Sequence, residues 1–404
     1  MLYVTTIEKI ANLADGGRFD ASDRMDYSKV EVLGQGTKYD VCASTASSRQ
    51  VSGSQGIGDV LKGGLCHSFT PDGRCVSLFK TLYTNSCSHE CNYCPNGAGC
   101  QKKGAKYSYE PEELAKITIT LYKGNYIEGL FLSSGIGGNE NEIMEKMIET
   151  VELLRKKYMF NGYIHLKILP GASDDHIKQA MGFADRVSIN LEAVSESYMK
   201  ELSPTKDYKN DILQKQRIIR DLSRKNRLPA GQTTQMVVGA VGESDKEIFQ
   251  RCIYEYNEIE LKRVYYSVFT PIAGTQFEDR EKQPLWREHR LYQMDWLFRV
   301  YNLPKKEIEI AFNDAGFLPD MDPKMAIARQ TLDSPVDPNT AEYDELLRVP
   351  GIGPVSAERI MLVRGTKKIT KSRELAALGV RINRAKAFLE LNGWRDATLM
   401  RWLT

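Results

Sequence analysis

Residues 87–94 read Cys-Ser-His-Glu-Cys-Asn-Tyr-Cys, three thiols at spacings x3 and x2. Seven of the eight cysteines lie between Cys42 and Cys100, and only Cys252 stands apart. The N-terminal stretch has an early acidic residue and no apolar core before a small-residue cleavage site, so a signal peptide is not expected. No run of about 18 apolar residues occurs, so no membrane partner is expected either. The expected compartment is the reducing cytoplasm, where disulfides are improbable. Crowded thiols there point to a metal or a cluster. Zinc usually takes paired CxxC ligands, and here it would need His89 or Cys100 to complete its set. Three thiolates at this spacing suit a [4Fe–4S] cube better, because they hold three irons and leave the fourth open to a small molecule.

Cys87-Ser-His-Glu-Cys91-Asn-Tyr-Cys94 resembles the CxxxCxxC signature of the radical S-adenosylmethionine (SAM) superfamily. Tyr93 matches the aromatic residue common before the last cysteine of that signature. The resemblance implies that Cys87, Cys91 and Cys94 hold a [4Fe–4S] cluster and that SAM binds the open iron through its amino and carboxylate groups. It also implies an external electron donor, and cleavage of SAM to methionine and a 5′-deoxyadenosyl radical that takes hydrogen from the substrate.

The surrounding segments must position the signature. VSLFKTLYTN (76–85) precedes it, rich in β-branched and aromatic residues like a buried strand. Helical patterns then follow over 110–124, 141–158, 173–184, 211–225 and 244–258, with Glu110, Glu112 and Glu113 in the first turn of the first and Ser173 capping the third. Apolar strand-like runs alternate with them at 127–134, 162–169, 186–193, 233–240 and 262–275. Six βα units in a row give an α/β class with a parallel barrel. The superfamily resemblance narrows this to a partial (β/α)6 barrel with the cluster on the loop after the first strand.

Barrel chemistry sits at the C-terminal ends of strands. There, Ser133-Ser134-Gly135 occupies the place of a GGE-like segment that faces the SAM amino group, although the residues differ. Lys167 is the candidate partner of the SAM carboxylate. Asn190 and Glu192 fall on one face of the fourth strand by alternation and would reach ribose or methionine polar groups. Gly239-Ala-Val-Gly242-Glu243 is similar to a Gly-rich segment that lets adenine approach the backbone. Thr270 to Thr275 resembles the sixth-strand ending of biotin synthase and Elongator-type enzymes.

Cys42, Cys66, Cys75 and Cys100 flank the signature and match the ligand count of a second, fully coordinated cluster; His67 is an alternative ligand. The opposing reading is buried free cysteine. GQG (34–36) and GSQGIG (53–58) read as flexible loop, since neither clearly lies between a strand and a helix.

The C-terminal part has a different character. Hydrophobic content of 42%, charged content of 27% and a net charge of +2 are ordinary for a globular chain. Residues 348–404, however, hold 12 Lys and Arg against 4 Asp and Glu, a basic segment suited to nucleic acid. Within AEYDELLRVPGIGPVSAERIMLVRG (341–365), two helical patterns flank Pro350-Gly351-Ile352-Gly353-Pro354, which resembles a helix-hairpin-helix (HhH) motif. Its glycines allow a tight turn with exposed amides that suit a phosphate. Gly351, Ile352, Gly353 and Arg348 are therefore the candidate nucleic-acid contacts, and Gly379 takes the turn position of a second, degenerate copy. Leu346, Leu347, Val349, Ile352 and Ile360 would pack the hairpin.

A barrel of this kind, with CHSFTPDGRC before the signature and the PGIG hairpin near the end, resembles the DNA modification/repair radical SAM proteins. That resemblance implies DNA as partner and an association with uracil-DNA-glycosylase-like proteins. A tRNA-modifying enzyme is the alternative, and a non-catalytic DNA-binding iron–sulfur protein a further one. The expected organisation is a Cys-containing extension (1–75), the barrel (76–315), a linker (316–335) and an all-α HhH domain (336–404).

Overall fold

The computed structural model describes residues 27–37, 65–69, 75–102, 104–226, 228–391 and 393–395. The chain divides into two compact units, residues 1–243 with 253–283, and residues 244–252 with 284–404.

In the first unit, α1 (Tyr27–Gly36) is followed by β1 (Leu65–Phe69), which runs antiparallel to β2 (Cys75–Leu82). From β2 the chain alternates as expected, through α2 (Pro111–Lys123), β3 (Gly129–Ser133), α3 (Glu140–Glu152), β4 (Tyr163–Lys167), α4 (Asp174–Phe183) and β5 (Arg186–Ser188). It continues through α5 (Glu196–Leu202), α6 (Lys215–Lys225), β6 (Gly231–Val238), α7 (Asp245–Asn257), of which residues 245–252 are counted with the second unit, and β7 (Arg263–Val268). All seven strands follow chain order across one sheet, and β2 to β7 are parallel, giving a curled half-barrel.

Local chemistry sets the helix starts. Glu110 caps α2 through a reciprocal box with Glu113, and Pro111 fills the first turn, where no amide is needed. Asn139 and Ser173 accept backbone N–H groups at the starts of α3 and α4. β3 and β6 are buried throughout, as parallel strands covered on both faces should be. One face of the strands, with Leu130, Leu132, Ile164, Leu166 and Val187, packs in a single apolar cluster with Leu114, Met144, Met147, Val151, Ile177 and Ala180. The alternate face is left to line the barrel interior.

Three expectations need correction. Residues 34–36 do not form a loop, because they close α1; residues 53–58 lie outside the described residues. The fourth parallel strand stops at Ser188 instead of running to 193, and an extended run to 193 is in any case broken at Glu192, which adopts φ 63°. The expected linker contains α10 (Pro323–Thr331), preceded in the second unit by α8 (Leu285–Arg299) and α9 (Lys305–Ile308). Ile327 and Ala328 of α10 are buried, so this segment is packed structure.

The second unit continues with α11 (Tyr343–Arg348), α12 (Pro354–Arg364), α13 (Ser372–Ala377) and α14 (Ile382–Ala385), ending in a short antiparallel pair at 390–391 and 394–395. Leu346, Leu347, Val349, Ile352 and Ile360 share one core with Leu375, Val380 and Phe388. Gly351 (φ 89°) and Gly379 (φ 95°) each turn the chain in the left-handed region. The two turns meet, with Arg381 N donating to Gly351 O at 2.9 Å. No described helix is long and apolar enough to cross a membrane.

Candidate active site

The cysteine loop leaves β2 and is fastened on several sides. Ser88 N and Ser88 Oγ both donate to Ile136 O, at 2.7 and 2.8 Å. Asn92 N donates to Leu202 O at 2.9 Å, and Asn92 Nδ2 to Glu201 O at 2.7 Å. Phe277 N donates to Asn92 O at 3.0 Å, and Gln101 N to Gly274 O at 2.7 Å. Within the loop, Cys94 N donates to Cys91 O at 3.0 Å in a tight turn, and Ala98 N donates back to His89 O at 2.9 Å. The loop is thus positioned by the ends of β2, β3 and β7 and by the C-terminal end of α5.

Cys87, Cys91 and Cys94 line one cavity of about 360 Å³. The same cavity is lined by Tyr93, Ser133, Ser134, Gly135, Lys167, Asn190 and Glu192, so these seven candidate cofactor residues are brought to it. Their roles differ in detail. Gly135 is required by packing, because a Cβ there would lie 2.3 Å from Ser86 O. Ser134 Oγ is occupied by Thr84 N at 3.3 Å and by its own donation to Gly135 O at 2.6 Å. Ser133 is buried at the end of β3, and Lys167, at the end of β4, is 9% exposed.

Asn190 and Glu192 reach the cavity from the loop after β5, not by strand alternation. Glu192 N donates to Gln235 O and Val237 N to Glu192 O, both at 2.9 Å. These two bonds to β6 hold the left-handed backbone that turns the carboxylate inward. Asn190 Nδ2 donates to Glu192 Oε1 at 3.3 Å, and Tyr93 is also hydrogen-bonded to Glu192.

Lys206 also lines this cavity and was not anticipated from the sequence. Its Nζ lies 3.3 Å from Glu192 Oε1. Burial works against its charge, but Cys91, Glu192 and Cys87 outweigh that and hold the ammonium above its ordinary range. A lone lysine in SPTKDY offers no motif; only the fold places it here. Gly239 to Glu243 do not line the cavity, and the Glu243 carboxylate instead accepts Gly239 N and Val241 N, closing the turn after β6.

The residues fit a cluster better than a single ion. Among the described residues no three Cys, His, Asp or Glu side chains converge on one metal position, whereas a cube meets each thiolate at a different iron. Cys100, a proposed fourth zinc ligand, points its Sγ to Lys102 O at 3.6 Å. The other, His89, is committed at Nδ1 to Thr205 Oγ1 at 3.0 Å. Its Nε2 is buried with no hydrogen-bond partner among the described residues, a polar atom orphaned among them on the cavity wall. The imidazole is kept below its ordinary range by burial and then by Lys206. Burial pushes the Cys91 thiol up, against Lys206 and Ser203, and pushes the Cys94 thiol up to about 12. Without metal these thiols therefore hold their protons, which iron would have to displace on binding.

Of the candidate second-cluster set, Cys42 lies outside the described residues. Cys66 and Cys75 sit on the paired strands β1 and β2, with Cys66 opposite Leu78 and Cys75 opposite Phe69. Three strand residues therefore separate the two positions, about 10 Å at the usual rise. Cys100 is buried on the cysteine loop. In the second unit, Arg348 is half-buried and bound twice to Glu307, at 2.7 and 2.8 Å, so its guanidinium is engaged within the fold.

Comparison with known proteins agrees with the geometry. Residues 81–250 match the family model described as the Radical SAM superfamily. Members of that superfamily are enzymes, and a [4Fe–4S] cluster and SAM are the cofactors of such a domain. No curated protein matches the sequence. Among solved structures, HydG, a maturase of the [FeFe]-hydrogenase, is similar at 11% identity and TM-score 0.44, over 55% of this chain and 49% of that one. Methylornithine synthase (PylB) is similar at 14% identity and TM-score 0.42, over 54% of this chain and 60% of that one. The radical SAM methyltransferase TsrM from Kitasatospora setae is similar at 11% identity and TM-score 0.37, over 49% and 38%. The chain thus spans about half the length of the solved structures it matches.

Proposed function

We propose, from the radical SAM domain at residues 81–250, that this chain is a radical SAM enzyme acting on nucleic acid, with DNA as the preferred substrate. The observation that carries the first part is the gathering of Cys87, Cys91, Cys94, Asn190, Glu192 and Lys206 around one cavity. When bound, the cluster and SAM supply a 5′-deoxyadenosyl radical for hydrogen abstraction.

The chain's own residues bind and orient. Cys87, Cys91 and Cys94 would ligate three irons. Lys206, steadied by Glu192, offers a buried cation to a carboxylate, as does Lys167. Glu192 and Asn190 offer acceptors and a donor to hydroxyl or amino groups. Tyr93 and Ile136 wall the cavity and limit water. The protein's part in such chemistry is positioning and solvent exclusion.

The DNA part rests on the second unit. The turn at Gly351 precedes α12, whose first turn begins with Pro354, and a helix start of this kind offers amides to a phosphate. Arg359, Lys367, Lys368, Arg373 and Arg381 are exposed on the same α-helical unit. Contacts of that type read the backbone and not the sequence. A uracil-DNA-glycosylase-like protein is the partner this reading suggests.

The test is anaerobic reconstitution with SAM and dithionite, with duplex DNA, tRNA or neither, following 5′-deoxyadenosine. DNA-stimulated production is expected. Stimulation by tRNA alone would move the substrate to RNA, and no production in any condition would remove the enzyme reading.

A further inference from the structure

On the cavity wall, one buried ring nitrogen has no hydrogen-bond partner among the described residues: His89 Nε2. His89 lies midway between Cys87 and Cys91 in the cysteine loop and is 9% exposed. It lines the same cavity as Cys87, Cys91 and Cys94. A Cβ at Gly97 would lie 3.2 Å from each of His89 O, Cys91 O and Cys94 O, so these three backbones converge on one point. The Lys206 cation acts on both the His89 imidazole and the Cys91 thiol, so ring and thiol also stand around one ammonium.

The residue is held on both sides. Ser88 N and Oγ donate to Ile136 O, and Glu90 N donates to Thr205 Oγ1 at 3.1 Å. The ring is fixed by the same hydroxyl, with Thr205 Oγ1 at 3.0 Å from Nδ1. Since Thr205 Oγ1 already accepts from Glu90 N, its own hydrogen can go to Nδ1. A neutral imidazole that accepts at Nδ1 carries its hydrogen on Nε2. A protonated ring carries one there as well, so the donor does not depend on titration.

A buried donor without an acceptor is costly and rare in native folds. Lys206, which shares the wall, can only donate. Glu192, the carboxylate on that wall, is engaged by Lys206, Asn190 and Tyr93. The sulfurs of an iron–sulfur cluster do accept N–H groups, and such bonds help to set its reduction potential.

We propose that Thr205 fixes His89 so that its Nε2–H donates to a sulfur of the cluster held by Cys87, Cys91 and Cys94, and that this bond makes the cluster easier to reduce. An electron from an external reductant makes the cluster more negative. A donor to its sulfur therefore stabilises the reduced form more than the oxidised form and raises the potential. The proposal rests on the reading that these three cysteines hold the cluster, and it does not depend on the substrate.

The test uses the full-length, cluster-loaded protein without SAM. Electron paramagnetic resonance follows the one-electron couple during a potentiometric titration. His89→Leu should make reduction about tenfold less favourable, a fall of about 59 mV for one electron. His89→Gln keeps an N–H near the place of Nε2 and should recover part of that fall. Thr205→Val keeps the ring but removes its partner, and its potential should lie between those of wild type and His89→Leu. Nitrogen-15 labelling of histidine gives a readout on the wild type alone, because His89 is the one histidine among the described residues that line the cavity. The reduced cluster should show a weak coupling to that label. No coupling overturns the proposal whether or not the variants load, and so does a strong coupling of the kind given by a nitrogen bound to iron. Equal potentials in wild type and loaded His89→Leu overturn it as well. A difference that arises only after SAM is added also overturns it, because SAM would then be the acceptor. Iron content and visible absorbance are scored first. A wild type that takes up no four-iron cluster removes the cysteine reading, and the proposal with it.

Discussion

The Glu192 carboxylate and the Lys206 ammonium lie 3.3 Å apart, with side-chain exposures of 6% and 9%. A buried pair recovers its desolvation cost only when further groups complete its hydrogen bonding. Asn190 supplies one such bond to Glu192, and Tyr93 another. On the other side, Cys91 and Cys87 raise the lysine's pKa. The pair thus links the cysteine loop to the loop after β5, and it carries one charge of each sign for a zwitterionic ligand.

Replacing Glu192 by Gln should leave Lys206 charged and without its carboxylate. In the metal-free protein the cost should be about 3 kcal/mol, the usual penalty for orphaning a buried charge. Cluster loading should reduce that cost, because ligated thiolates return negative charge to the lysine. Thermal unfolding of the apo and loaded forms checks this. An equal loss in both forms would mean that Lys206 does not sense the thiolates.

Gly135 tests how tightly the cysteine loop is held. A Cβ there would lie 2.3 Å from Ser86 O and 3.1 Å from Thr84 O. Gly135→Ala should therefore displace the loop and lower iron content and visible absorbance, with far-ultraviolet circular dichroism unchanged. Gly182 is the control. It lies within α4, and an added Cβ meets nothing within 4 Å, so Gly182→Ala should load normally and gain up to about 1 kcal/mol from helix propensity.

The contrast between Glu192 and Lys206 marks how far the sequence is readable. The strand and helix sequence was legible because buried parallel strands write short apolar runs and their covering helices a period of 3.6. The cysteine loop was legible because its spacing is chemical. Glu192 was placed in the right cavity for the wrong local reason, since a left-handed backbone and not alternation turns it inward. Lys206 was invisible because nothing in SPTKDY marks it, and it meets Glu192, 14 residues away, only once α5 turns the chain back. Arg348 looked like a phosphate contact in a basic segment; its partner Glu307 lies 41 residues away, and no local pattern joins them.

Lys324 makes the second unit's stability depend on pH. The residue is 7% exposed, and its amine donates to Ile352 O and sits 4.5 Å from the Tyr301 ring centre. Burial pushes its pKa from 10.5 down to about 7, with Asp322 opposing and Arg384 assisting. Between those values the unfolded chain binds the proton more strongly, so this group makes stability rise with pH, and below the folded value its full penalty applies. Urea midpoints of this unit should climb from about pH 7 toward pH 10 in the wild type, and the climb should be smaller in Lys324→Met. Identical slopes would show that the amine does not titrate in this window.

Under the nucleic-acid reading, residues of the second unit's hairpin that shape the turn can be told apart from residues that would meet a phosphate. Gly351 has φ 89°, and a Cβ there would fall 2.6 Å from Arg381 O and 3.2 Å from Arg384 Cβ. Gly351→Ala should strain its own turn and push the neighbouring turn away. Affinity for duplex DNA should then drop by about tenfold or more, about equally for all sequences, as expected for backbone contacts. Arg348 is tied to Glu307, so Arg348→Ala should lower stability while leaving the slope of log affinity against log salt unchanged. Arg359 and Lys368 are exposed, and each substitution to Ala should shrink that slope by about one. Titrations at several salt concentrations decide between these roles. A slope that changes for Arg348 and not for Arg359 or Lys368 would return Arg348 to the binding surface and detach the exposed basic residues from it.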